Sequence, residues 1–428
     1  MIPQKTAQTF YPYLAEEDRL LLENLDKQYS LTYQEFRKIA EAARDLELWQ
    51  DETFAALIGD MTVVSSLKTE NHRHVSYPQD KDVFLKKFFD RFYEIRNAAK
   101  IYPSEDVLAG PKESHSLRIV RKDTEKKIYG DCPVASEETV CCNLKTIDAV
   151  ENCAFGCSYC TIQTFYGPEA VLDAKLKQKL EAIEIHPGQF YHFGTGQSSD
   201  SLIWGNRHGL LDDLCGFAAK HPNVLLEFKT KSDHTAYFEQ NRIPKNVVCS
   251  WSLNTEPVIC HEEAGTASLQ RRLEAARKVA DHGVKVAFHF HPMVYYEGWQ
   301  ADYEDLGRAV QAQFDPKEVL FISFGSVTFI KPVMQQIRRR QQPTRILQME
   351  LVPAPKGKFS YPEDLKIRQF QTMYNVFKPW QGRVYMYLCM EPARIWDSVF
   401  GWHYPTNEEF ESDFGLKTLE VPLGSTQT

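Results

Sequence analysis

Three thiols stand out as chemistry. The loop from Glu151 to Thr161 places Cys153, Cys157 and Cys160 with three and then two residues between them. One short loop can therefore aim three thiolates at a single object. Thiolates are soft ligands that select zinc or iron–sulfur clusters. Gly156 is expected to let the backbone turn sharply between the first two ligands. A cubic iron–sulfur cluster usually takes four thiolates, so three would leave one iron open to another ligand. Structural zinc normally wants four ligands, typically as two C-x2-C pairs. Only one such pair, Cys157 with Cys160, is present here. A zinc or iron–sulfur clip without catalytic activity stands as the alternative.

Further candidates lie downstream. Gly194 and Gly196 open a turn that runs to Asp200, and glycines at a strand end let backbone amides approach a ligand closely. His289 and His291 flank Phe290, so alternation puts both imidazoles on one face of a strand. With Tyr295 they are candidates for binding adenine or substrate. Asp200 reads as a substrate contact or as a helix N-cap. The basic run from Ile337 to Pro343 reads as a solvated helix face or a phosphate contact. Cys141 and Cys142 precede the loop and carry no assigned role.

These residues need a scaffold. Residues 1–110 read as a helical extension. Thr32 and Glu35 form a capping box, ahead of Phe36, Ile39, Ala40, Ala43 and Leu46 at helical spacing. Phe84, Leu85, Phe88, Phe92 and Ile95 make a second apolar stripe. Residues 111–139 read as a linker, next to the Gly110–Pro111 breaker. From 140 to 397 short apolar strands alternate with amphipathic helices. The expected strands are 146–150, 189–193, 224–230, 246–253, 284–290 and 319–324, with 345–351 and 383–388 as later ones. The helix from Ser268 to Asp281 ends at Gly283. Such repeats predict an α/β fold with parallel strands, whose chemistry sits at the C-terminal strand ends. Residues 398–428 read as a polar tail.

The cysteine spacing, with Tyr159 before the last thiol, resembles the signature of radical S-adenosylmethionine (SAM) enzymes. Within that superfamily the chain resembles the spore photoproduct lyase family, over roughly Ala149 to Leu388. The matching pieces are Ser198-Ser199-Asp200, Thr230-Lys231, Ser252-Leu253-Asn254, Arg272 to Ala280, and Glu297-Gly298-Trp299. The resemblance implies a partial (β/α)6-type TIM barrel and a [4Fe-4S] cluster on Cys153, Cys157 and Cys160. It also implies SAM as cofactor and a one-electron donor such as flavodoxin or ferredoxin. Tyr159, Gly194, Gly196, Ser199, Lys231, Ser252 and His291 would then surround SAM, with Lys231 as a point cation for its carboxylate. Gln197, Asp200, His289 and Tyr295 would face the substrate, a damaged or modified nucleobase or another molecule.

Two departures qualify the resemblance. The family's hydrogen-donating cysteine falls at Gln197, and an amide has no weak S–H bond to give. The family's late hairpin carries an Arg-Tyr wedge that the stretch from Leu351 to Tyr361 lacks. Both weigh against repair of the spore lesion itself. Cys389, at the end of the last expected strand, is the candidate replacement donor; a buried core thiol is the plainer reading.

Composition sets the outer bounds. The 428 residues are 43% hydrophobic and 25% charged, as in soluble globular proteins. No run of about 18 apolar residues predicts a membrane span, and no basic-then-apolar start predicts export. The expectation is a cytoplasmic protein whose ten cysteines stay reduced. A net charge of −8 disfavours nucleic acid as the main partner without excluding it.

Overall fold

The computed structural model describes residues 5–6, 8–59, 80–103, 117–132, 138–165 and 167–419. They fall into two compact units, Met1–Ile101 with Lys331–Glu350, and Tyr102–Ile330 with Leu351–Thr428.

The first unit is helical. Thr32 caps the helix Tyr33–Trp49 through the expected box, its hydroxyl accepting from the Glu35 amide while the Glu35 carboxylate accepts from the Thr32 amide. Phe36, Ile39, Ala40, Ala43 and Leu46 are buried, and so are Phe84, Phe88 and Phe92 of the helix Lys81–Asn97. Each such phenylalanine contributes about 1.5–3 kcal/mol through area removed from water. The basic run is a solvated face only in part: Arg339 and Gln341 to Pro343 are exposed, and Arg338 is not. Arg338 is buried and forms a fork of hydrogen bonds to Asp45 at 2.7 and 2.8 Å. A lone charge cannot be buried without such a partner, so this arginine is a core ion pair.

The second unit holds the large sheet. Its strands are β1 (Tyr129–Asp131), β2 (Lys145–Ile147), β3 (Tyr191–Gly194), β4 (Val224–Thr230), β5 (Val247–Leu253), β6 (Lys285–Met293), β7 (Val319–Ser326) and β8 (Tyr385–Leu388). Each pairs with the next in chain order. β1 is antiparallel to β2, and every later pair is parallel. The sheet curls into the expected half-barrel, with seven parallel strands where a (β/α)6 pattern has six. An isolated bridge between Val140 and Glu391 ties the segment before β2 to the segment after β8.

Helices fill the crossovers as the periodicity requires. Leu269–Asp281 is capped by Ser268, whose hydroxyl accepts from the Arg271 amide, and it buries Leu273, Ala276, Val279 and Ala280. Gly283 follows at φ +79°, the left-handed region that stops a helix.

Three expectations need correcting. The stretch 345–351 forms no strand, and most of it belongs to the first unit. The described part of 111–139 carries β1 and the strand Arg118–Lys122, which pairs with Glu169–Asp173. The described part of 398–428 continues the helix Ala393–Phe400 and adds Asn407–Leu419, on which Phe410 and Phe414 are buried. Two phenylalanines four residues apart share one helix face, a signal that polar composition hid. The Gly110–Pro111 pair lies outside the described residues. No helix among the described residues is long and apolar enough to cross a membrane.

Candidate active site

The cysteine loop is held from several sides. Its left-handed residue is Asn152, at φ +70°, and Gly156 has no positive φ. The turn expected at the glycine is therefore made one residue before Cys153. Asn152 compensates with its side chain, whose amide donates to Glu169 O at 2.5 Å and whose carbonyl accepts from the Gly167 amide at 3.3 Å. Gly156 and Cys157 instead pair with Glu263 and Ala264. A Cβ at Gly156 would lie 3.3 Å from that of Ala264, so close approach explains the glycine. Ser198 Oγ donates to Val150 O and Ser199 Oγ to Asn152 O, both at 2.8 Å, while Ser199 Oγ accepts from Trp204 Nε1 at 2.8 Å. The turn after β3 and the cysteine loop thus move as one piece. Ser199, expected beside SAM, spends its hydroxyl on this pinning.

The strand ends surround a cavity of ≈ 300 Å³. Cys153, Cys157, Cys160 and Tyr159 line one wall of it. Gly196, Gln197, Ser199 and Asp200 contribute from the turn after β3, Lys231 and Ser252 from the ends of β4 and β5. His289, His291 and Cys389 complete the set that the sequence singled out. Gly194 and Tyr295 do not line it. Gly194 packs on Leu144, and the Tyr295 amide donates to Tyr361 Oη at 2.9 Å. A Cβ at Gly196 would stand 2.8 Å from Lys229 O, so that position admits only glycine without a shift of backbone.

Asp200 is an anchor. Its carboxylate accepts from the amides of Leu202, Ile203 and Lys231 and from Thr230 Oγ1, at 2.7–3.0 Å. With these partners it fixes the turn to the end of β4 and has little capacity left for a substrate.

Lys231 is partly engaged as well. Its ammonium donates to Tyr159 Oη at 2.8 Å and to Glu263 Oε1 at 3.1 Å, which leaves one of three N–H donors for a ligand. Tyr159 Oη donates to the same Glu263 oxygen. The other Glu263 oxygen accepts from Arg272 Nη2 at 2.6 Å, and Arg272 Nη1 reaches Ser252 O at 2.8 Å. Burial opposes ionisation of Glu263, yet Arg272 and Lys231 bring its carboxyl down to about 2.

Sequence reasoning missed the centre of the barrel. Glu227 on β4 is buried and accepts from His192 Nε2 at 2.8 Å, His289 Nε2 at 2.6 Å and Ser250 Oγ at 2.5 Å. The Nδ1 of His289 meets Ser323 Oγ. One polar chain thus crosses β3 to β7. The signal was available as a lone glutamate inside an apolar strand. Lys229 follows on the same face of β4, Lys231 lies just past the strand's end, and all three line the cavity. Burial, and then the Lys229 charge, hold His289 down to about 4. His291 is pushed down by the same two causes, so both imidazoles are neutral at pH 7.

The donor set fits a multi-iron cluster. Cys153, Phe155 and Cys157 form one packed group, with Tyr159, Cys160 and Ile203 against it. All three thiols line the same cavity, as the ligands of a cluster occupying part of it would. Burial pushes the Cys153 thiol up and that of Cys157 up to about 12, so a metal must displace these protons to bind. Lys231 and Arg272 pull Cys157 the other way, offsetting thiolate charge.

Comparison with known proteins follows the same lines. A model of the spore photoproduct lyase family matches residues 143–361. The spore photoproduct lyase of Geobacillus sp. (strain Y412MC61) is 26% identical over 285 residues, covering 64% of this chain and 81% of that one. That of Bacillus subtilis (strain 168) is 26% identical over 288 residues, covering 64% and 81%. A solved spore photoproduct lyase complexed with dinucleoside spore photoproduct superposes with a TM-score of 0.56 at 22% identity, over 71% of this chain and 94% of that one. A double mutant of that enzyme with bound AdoMet and dinucleoside spore photoproduct gives a TM-score of 0.54 at 22% identity, with the same coverage.

Proposed function

Because the chain belongs to the spore photoproduct lyase family of radical SAM enzymes, we propose that Cys153, Cys157 and Cys160 hold a [4Fe-4S] cluster and that SAM binds in the adjoining cavity. One observation carries the reading: these three thiols share that cavity with Gly196, Lys231, Ser252 and His291. When bound, the cluster and SAM together supply a 5′-deoxyadenosyl radical that takes hydrogen from a substrate.

The protein's part is binding and positioning. The remaining N–H of Lys231 meets a carboxylate, and Gly196, whose missing side chain makes room for Lys229 O, keeps the turn after β3 against the end of β4. The pinned loop keeps the thiols in place without further ordering. The neutral His291 offers a flat face and hydrogen bonds to a purine.

The substrate inferred is a damaged or modified nucleobase. Family membership supports it, as do relatives solved with dinucleoside spore photoproduct. Phe329 and Tyr387 line the cavity and are suited to stacking on a base. Lys229 and Lys358 line it too and suit an anionic or carbonyl-rich ligand. Gln197 in the donor position sets this chain apart from a thiol-dependent repair lyase. A flavodoxin or ferredoxin suits the role of one-electron donor.

The test is anaerobic reconstitution with iron and sulfide, followed by dithionite and SAM. Release of 5′-deoxyadenosine is expected. An intact cluster that yields none, or a colourless protein with one zinc per chain, would sink the proposal and favour a metal-binding clip.

A further inference from the structure

Three thiols explain one wall of the cavity, yet seven cysteines line it. The other four are Cys132, Cys141, Cys142 and Cys389. They come from both edges of the half-barrel: the segments around β1 and before β2, and the end of β8. The fold brings them together deliberately. Val140 N donates to Glu391 O at 3.0 Å, Cys132 N to Leu144 O at 3.0 Å, Cys389 N to Phe324 O at 2.8 Å and Cys141 N to Asn407 Oδ1 at 2.8 Å. Three of the four side chains therefore hang from fixed backbone anchors. Asn143 and Met390, each next to one of these cysteines, have φ of +52° and +61°. Non-glycine residues seldom hold that conformation, and it gathers at functional sites.

The four behave as a group. Cys141 and Cys142 are hydrogen-bonded to each other, and Cys132 and Cys389 lie within electrostatic reach of Cys142 and of one another. The neighbours that bear on Cys153 are Cys157 and Cys160 instead. Lys358 faces Cys132, Cys141 and Cys389, and Lys229 faces Cys389, which gives an anionic thiolate centre its countercharge. No disulfide joins any of these cysteines. Four thiols brought to one cavity from its two edges suit a centre of several irons, each iron taking one thiolate.

We propose that Cys132, Cys141, Cys142 and Cys389 ligate a second iron–sulfur cluster in the wall of the same cavity. Four thiolates close every corner of such a cluster. It has no iron open for SAM and serves for electron exchange beside the substrate. Cys389 is then a ligand, which replaces the hydrogen-donor role expected of it. The proposal goes beyond the SAM-site reading and does not depend on it.

The deciding protein is the full chain carrying Cys153→Ala, Cys157→Ala and Cys160→Ala, reconstituted anaerobically with iron and sulfide. The unchanged chain is expected to hold about eight irons and this variant about four, with the brown absorption retained. Should the triple variant not fold, Cys141→Ala with Cys142→Ala decides. Its iron is expected to fall from about eight to about four, with a remaining EPR signal that still shifts on adding SAM. A folded, colourless triple variant overturns the proposal. So do about four irons in the unchanged chain with an EPR signal that shifts on adding SAM, zinc in place of iron at these cysteines, or a disulfide among them after anaerobic isolation. Loss of the first cluster alone would show as about four irons that SAM does not perturb, which separates failure of the SAM site from failure of this one.

Discussion

A Cβ on Gly325 would stand 2.5 Å from Cδ2 of His291. The missing side chain on β7 is the space that the imidazole on β6 occupies. Gly325→Ala should therefore push His291 out of its place at the cavity wall. Overpacking of this kind costs about 1–3 kcal/mol, read as a lower thermal midpoint. SAM affinity should drop by about tenfold, equivalent to about 1.4 kcal/mol. His291→Ala should show the affinity loss without the overpacking. Unchanged SAM affinity in both variants would remove His291 from the binding site.

The Glu227 network makes stability depend on pH. His289 is held near 4, below its ordinary 6.5, by burial and by Lys229. Between those values the unfolded chain binds a proton that the folded chain refuses. Stability therefore rises with pH across the window, and the contribution present above pH 6.5 is lost as pH falls toward 4. The shift corresponds to on the order of 3 kcal/mol. Glu227, whose own burial is outweighed by His289 and His192, sits well below the usual carboxylate range and adds in the same direction at lower pH. Thermal midpoints measured from pH 7 to 4.5 should fall, and His289→Gln should flatten the slope. A slope unchanged by that substitution would place the titration elsewhere.

Glu263 divides its two cations by task. Arg272 is fully buried against it, so Arg272→Met removes the closer of its two cations and should cost about 3 kcal/mol in urea unfolding, the lower end for a broken buried pair because Lys231 remains. Lys231 is less buried and keeps one donor for a ligand. Lys231→Met should weaken SAM binding about tenfold with a much smaller stability loss. Equal destabilisation by both variants would argue that Lys231 is purely structural.

Gln197 decides whether lesion repair is within reach. With dinucleoside spore photoproduct as substrate, the unchanged chain should release little or no thymine while still forming 5′-deoxyadenosine. Gln197→Cys places a weak S–H bond at a cavity-lining position and should raise thymine release by at least about tenfold, as restoring a hydrogen donor to a stalled radical would. Efficient repair by the unchanged chain would show that another group returns the hydrogen.

Local patterns carried much of this structure. The capping box at Thr32 and the period of Leu269–Asp281 each depend on residues within a turn or two, and each is formed as expected; the closely spaced thiols come to one cavity wall. The two histidines flanking Phe290 do face the cavity together, since strand alternation alone dictates it. What escaped depends on partners distant in sequence. Arg338 looked solvated until Asp45 was found beside it. Asp200 reads from sequence as a substrate contact or an N-cap; it does accept from the amides two and three residues on, while Thr230 and Lys231 reach it only through the fold. Glu227 carried a readable signal, a charge in an apolar strand, but its two histidines lie on separate strands. The four outer thiols are further apart still, from Cys132 to Cys389, and no spacing rule joins them.

The strictly sequential order of the sheet has a consequence for how the molecule is made. Each strand adds beside the one synthesised just before it, so the half-barrel can grow from one edge on the ribosome with nothing threaded between finished neighbours. The Val140–Glu391 bridge is the exception, because its halves come from opposite ends of that growth. It closes only when the final strand has emerged. Cys389 can therefore join Cys142 only after the end of β8 has been made, and a chain terminated before it carries Cys132, Cys141 and Cys142 without their fourth partner.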